Sequence, residues 1–143
     1  MFSKTNLIST IIVALWAFLG GFLIWAVIID PFLVDHLGTA TGVMKDQDDI
    51  IMLYVALGSL IVGLAMSTLY SKWANGSHSM GQGANFGSCV GIIVGFGDRL
   101  VEYGVANVLD LTGTLVNGIA YVVFFSVMGI LASIVYAKLE SNK

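Results

Sequence analysis

Three uncharged apolar stretches constrain the fold of this chain more than any other feature. Residues 6–29, 50–71 and 111–137 contain no Asp, Glu, Lys or Arg. A helix needs about 20 predominantly apolar residues to cross a hydrocarbon core of roughly 30 Å, and each stretch exceeds that length. Across all 143 residues, 57% are hydrophobic and only 10% are charged. A soluble domain carries about 25% charge, so a soluble fold built from this chain would lack the polar surface to cover its core.

A fourth stretch, residues 80–97, is also uncharged but runs into Asp98, Arg99 and Glu102. It reads as a spanning helix with charges at its far end; a re-entrant or interfacial segment is the alternative. The expected architecture is an all-α, integral membrane, four-helix up-down-up-down bundle. It forms a single transmembrane domain over 1–143, with helices near 6–29, 50–71, 80–103 and 111–137. Short connections predict that consecutive helices are antiparallel neighbours. Asp30-Pro31 is expected to end the first helix, because proline cannot continue the hydrogen-bond ladder. Asp48 or Asp49 is the expected N-cap of the second. The first stretch is too long for a cleavable signal, and no A-x-A-like site follows it, so it reads as a retained helix.

Four spans would place Lys4, Lys72, Lys138 and Lys143 on one side and only Lys45 and Arg99 on the other. The positive-inside rule then puts both termini in the cytoplasm. Asp30, Asp35, Asp46, Asp48, Asp49, Asp98, Glu102 and Asp110 fall outside. Trp73 and Tyr136 are placed for an inner aromatic belt, and Tyr54 and Trp25 for an outer one.

Gly83, Gly87, Gly91 and Gly95 repeat at a four-residue spacing. Residues i and i+4 share a helix face, so the third helix carries a smooth groove suited to close helix packing. Ser59, Gly63 and Ser67 on the second helix have the same spacing. Gly129 and Ser133 on the fourth, and Ala17 and Gly21 on the first, are further partners. The leading expectation is that the third helix sits centrally in its own bundle. A contact with another subunit and a glycine-lined conduit are the alternatives.

Chemistry-bearing residues are few. Asp98 and Glu102 share a helix face, and Arg99 can pair with Glu102 at i,i+3. With Asn117 they form the one candidate ion or proton site, although charges at an interface need no function. Asn117 is expected to hydrogen-bond across helices. His36, His78 and Cys89 fall at different depths, so no metal site and no cofactor are expected. A lone cysteine permits no intramolecular disulfide. No basic cluster points to nucleic acid. No nucleophile–base pair, phosphate loop or dinucleotide fingerprint is present, so enzyme activity is not expected.

Gly97-Asp-Arg-Leu-Val-Glu-Tyr-Gly-Val-Ala-Asn-Val, followed by Leu111-Thr-Gly-Thr-Leu-Val-Asn117, resembles a stretch of small four-helix bacterial membrane proteins of unknown function. Gly21-Phe-Leu-Ile-Trp25 and the acid after it extend the likeness over most of the chain. Those families often carry an acid where Asn117 stands here, so a shared intramembrane carboxylate does not follow. The resemblance implies four helices and a bacterial inner membrane, and no activity. The functional expectation is a structural or accessory membrane protein. It would act by helix packing against the lipid bilayer, other membrane subunits or copies of itself. The alternative is a minimal transporter or channel that uses the acidic cluster at the outer end of helix three.

Overall fold

The computed structural model of the chain describes residues 3–43, 45 and 47–140. Asp46 and Lys143, which enter the charge expectations, lie outside the described residues. The described residues form four long helices. Helix α1, Lys4–His36, starts behind Ser3, whose hydroxyl accepts from the Asn6 N–H at 3.1 Å. The expected break at Asp30-Pro31 does not occur. Phe22–Ile29 is π-helical, and the Asp30 N–H reaches back five residues to the Trp25 carbonyl. Pro31 then falls in the first turn of Asp30–Leu33, where a missing N–H costs little. A 3₁₀ turn, Val34–His36, finishes the helix.

Helix α2 spans Met52–Ala74. Neither Asp48 nor Asp49 caps it. Both lie one turn earlier in the 3₁₀ turn Gln47–Asp49, and the helix opens without a side-chain cap, on the Ile51 carbonyl. Asn75 and Gly76 end it with φ of 48° and 79°, a left-handed stop for which glycine has no steric cost. Helix α3 covers 80–105 in three continuous pieces: Met80–Ile92, the π-helical Ile93–Asp98 and Arg99–Val105. Ser79 caps its start through the Gln82 N–H. Helix α4 spans Leu111–Glu140, and the Asp110 carboxylate accepts from the Gly113 N–H at 2.7 Å at its start.

Among the described residues, α1, α2 and α4 are each long and apolar enough to cross a membrane. α3 is not in that set. Its glycines, with Gln82, Asn85 and Ser88, dilute its apolar content.

Contacts fix how the helices pair. The most extensive interface joins α3 to α4, followed by α1 with α2 and α1 with α4. Gly83 lies against Gly129, Gly87 against Phe125, Gly91 against Val122 and Gly95 against Gly118. The numbers rise on one helix and fall on the other, so this pair is antiparallel. Asn6 with Tyr136, Trp16 with Phe124 and Trp25 with Asn117 set α1 antiparallel to α4. Asn6 with Ser67, and Thr10 with Gly63, do the same for α1 and α2.

α1 and α4 therefore occupy the middle, and α3 is not central as expected. Its glycine face is committed to one neighbour, α4, which leaves it on the flank. The consecutive helices α2 and α3 are not broad neighbours either. They meet near their shared turn, where Tyr70 and Trp73 face Phe86 with ring centroids 5.6 Å apart in each pair. From there they diverge, and along α2 residues 51–58, 60 and 61 are exposed.

The core lies where α1, α2 and α4 converge, around Val13, Met66, Phe124, Phe125, Met128 and Ala132. The α3–α4 seam is close enough that a Cβ on Gly91 would stand 2.6 Å from the Val122 Cα. At Gly87 it would meet the Phe125 carbonyl oxygen, which is backbone and cannot yield. Gly87→Ala is expected to cost about 1–3 kcal/mol through overpacking. Gly58, with nothing within 4 Å of its position, is the control. There Gly58→Ala is expected to be neutral or to stabilise by up to about 1 kcal/mol through helix propensity. Thermal unfolding of both variants in detergent checks the contrast.

Candidate functional site

Most buried polar side chains gather toward the two ends of the bundle, and one pair, Ser88 with Ser126, lies between them on the α3–α4 seam. At the level of Asp98, Arg99 is the hub of the expected acidic cluster. Its guanidinium bonds Asp98 directly and donates to Glu102 at 2.7 Å. The Asp98 and Glu102 side chains are 63% and 36% exposed, so these charges lie at a surface. Asn117 does not join them. Its side-chain oxygen accepts from the Trp25 indole at 2.8 Å, across the α1–α4 seam. Trp25 also packs on Tyr121 and Phe124, at centroid distances of 4.6 and 5.1 Å, and so is a seam residue more than a member of an outer belt.

The same end of the molecule carries a latch. His36 Nδ1 lies 2.9 Å from the Asp110 carboxylate. Backbone bonds flank it, from the Gly38 N–H to the Val108 carbonyl and from the Asp110 N–H to the His36 carbonyl. The end of α1 is thereby tied to the start of α4.

At the opposite end, α1, α2 and α4 share a network that the sequence reading missed. The Asn6 amide donates to Ser67, Thr68 and Tyr136 at 3.1, 3.2 and 3.0 Å. The Ser67 hydroxyl donates to the Asn6 carbonyl, and the Tyr136 hydroxyl to the Ser67 carbonyl. Tyr136 is buried and is not part of a belt. Beside it, His78 lies between the Tyr70 hydroxyl at 3.2 Å and Glu140 at 3.1 Å. The turn between α2 and α3 is thus pinned to the end of α4. One signal was available in the sequence. Asn6, Ser9 and Thr10 share a face of the first stretch, and Ser67 and Tyr70 share a face of the second.

The remaining expected site residues sit in seams. Gly83, Gly87, Gly91 and Gly95 face the α4 backbone, and Gly63 faces Thr10 and Ala14 of α1. Ser67 belongs to the network above. Ser59 bonds the Val55 carbonyl of its own helix. Ser88 and Ser126 pair at 2.8 Å between α3 and α4, while Asn85 and Cys89 are exposed on α3. Val13, Met66, Phe124, Phe125 and Met128 form the apolar core between the two ends, with the Ser88–Ser126 pair beside it. Among the described residues no group of three or more His, Cys, Asp or Glu could hold a metal ion.

Comparison with protein-family models, with curated proteins and with solved structures finds no match. The likeness of residues 97–117 to small bacterial membrane proteins therefore carries no family assignment.

Two bonds govern the Asp110 carboxyl. The Gly113 N–H, then His36, hold it below its ordinary value of 3.8. A depressed carboxyl stabilises the fold fully above its unfolded value and loses that contribution as pH falls through the folded value. Asp110→Ala is expected to lower the melting temperature at pH 7. The difference from the unmodified protein should close as pH drops below about 3.8. Melting curves of the two proteins at pH 7 and pH 3 make the comparison.

Proposed function

We propose that this chain is an integral membrane protein whose four helices cross the bilayer up-down-up-down. Both termini would face the cytoplasm, with a bacterial inner membrane as the setting. It acts by helix packing, as a structural or accessory subunit or as a homo-oligomer, and not as an enzyme. The start of α1 and the end of α4 lie at one end of the bundle, since Asn6 bonds Tyr136. Lys4, Lys72 and Lys138 gather there, as the positive-inside rule requires of the cytoplasmic side.

The observation that carries the packing reading is the outer half of α2. From Ile51 to Ile61 it presents nearly every side chain to its surroundings, with Leu53, Tyr54 and Ile61 each about two-thirds exposed at 65%, 68% and 68%. Gly58 in its middle has open space above it. A helix flank with a small residue exposed invites a second helix to close van der Waals range, which is what drives association in lipid.

Support for packing over transport comes from the polar groups. Ser67, Ser88, Asn117 and Ser126 are engaged in seams, and the acids Asp98 and Glu102 are both paired with Arg99. A conduit would need them to face a common wet path.

Gly58→Leu tests the reading. Nothing inside the chain opposes the larger side chain, so the isolated fold should keep its melting temperature. The assembly isolated in mild detergent should dissociate to a smaller mass by light scattering. A native protein that already runs as a lone monomer, or a variant whose assembly is intact, would sink the proposal. For the alternative, Asp98→Asn with Glu102→Gln is expected to leave flux through reconstituted vesicles at the empty-vesicle background, as in the unmodified protein. Flux in the unmodified protein that this double variant abolishes would favour a transporter.

A further inference from the structure

Three oxygens on one face of α1 are buried without a hydrogen-bond partner: Asn6 Oδ1, Ser9 Oγ and Thr10 Oγ1. Their residues are 3%, 0% and 5% exposed. Spaced i, i+3 and i+4, they are neighbours on the helix surface. Side chains on a helix lean toward its N-terminus, so the hydroxyls of Ser9 and Thr10 lean over the turn that carries Asn6.

The Ser67 and Tyr136 hydroxyls have backbone carbonyls as acceptors for their own protons, which leaves lone pairs to receive the Asn6 amide. The Asn6 NH₂ group donates to Ser67, Thr68 and Tyr136, so its side-chain carbonyl oxygen faces the other way. That oxygen is acceptor-only, and a buried acceptor left unpaired is costly.

We infer that one internal water molecule is bound at this site, donating to Asn6 Oδ1 and bridging it to the hydroxyls of Ser9 and Thr10. A buried water needs two to four polar partners, and these three supply them. The chemistry selects water over a cation. All three groups are neutral, and an ion held by them would be buried without a counter-charge. The water completes the polar junction of α1, α2 and α4, just below the apolar block that begins at Val13. The inference rests on intrachain packing and stands apart from the proposed assembly role.

The double variant Ser9→Ala with Thr10→Val separates a wet site from a dry one by the sign of its effect. If the hydroxyls hold water, removing both strands the Asn6 oxygen, and the melting temperature in detergent falls by about 3 °C or more. If the hydroxyls are dry and unpaired, removing them leaves the melting temperature unchanged or raises it, which overturns the inference. Two measurements on the unmodified protein keep the test open should the variant fail to fold. A high-resolution map is expected to show a solvent oxygen within about 3.2 Å of Asn6 Oδ1 and of at least one hydroxyl. Melting temperatures in sodium, potassium and choline chloride are expected to agree. Empty density, or stabilisation specific to sodium, would reject water as the ligand.

Discussion

The close approach of two helix backbones, α3 and α4, is the interaction on which the rest of the arrangement depends. Gly83, Gly87, Gly91 and Gly95 on one side, with Gly118 and Gly129 on the other, remove the Cβ atoms that would hold the backbones apart. Each position then gains many weak contacts in place of a few strong ones. Because this face of α4 is taken, α1 must use another. It does so through Trp16, Trp25 and Asn6, which bond to the Phe124 carbonyl, to Asn117 and to Tyr136. α2 is left to pack on α1 alone over most of its length, which explains why its N-terminal half is bare.

Polar groups refine what the glycines begin. Apolar packing tolerates small slips along a helix axis, whereas a buried hydrogen bond does not. The bonds at Asn6 and Trp25 lie about 19 residues apart on α1, close to 28 Å at 1.5 Å per residue, and so fix its register against α4 at both ends. The His36–Asp110 latch and the His78–Glu140 pair do the equivalent for the connecting segments. Asp110 has two tasks in this scheme, since the carboxylate that caps α4 also receives His36. Polar and charged pairs thus mark both ends of the molecule, which are joined by a core of Val13, Met66, Phe124, Phe125 and Met128.

Much of the candidate site was legible residue by residue, and little of it in combination. The four-residue glycine spacing identified a close-packing face before any partner was known. The Asp98–Arg99–Glu102 cluster was readable because its members lie within one turn. Asn117 was recognisable as a group in need of a partner, but not that Trp25 would supply it. The buried network around Asn6 escaped notice because its members are 61 to 130 positions apart in the chain. Each of them alone is an ordinary polar residue near a helix end. Pro31 misled for a local reason: the π-helical turn before it shifts the hydrogen-bond register, and nothing in the dipeptide announces that shift.

By itself, the sequence determined that the chain is helical, where the long apolar helices run, and which face of the third can approach a neighbour most closely. Hydrophobic length and four-residue spacing are local properties, and local properties are written along the chain. The tertiary structure alone decided that the glycine face meets α4, that α3 lies on the flank, and that α2 and α3 part after their turn. It also decided that Asn6, Ser67 and Tyr136 share one polar junction. In helices this apolar, many faces are equally acceptable to a neighbour. The choice among them is made by whole-surface fit and by the few polar groups that must find partners at once.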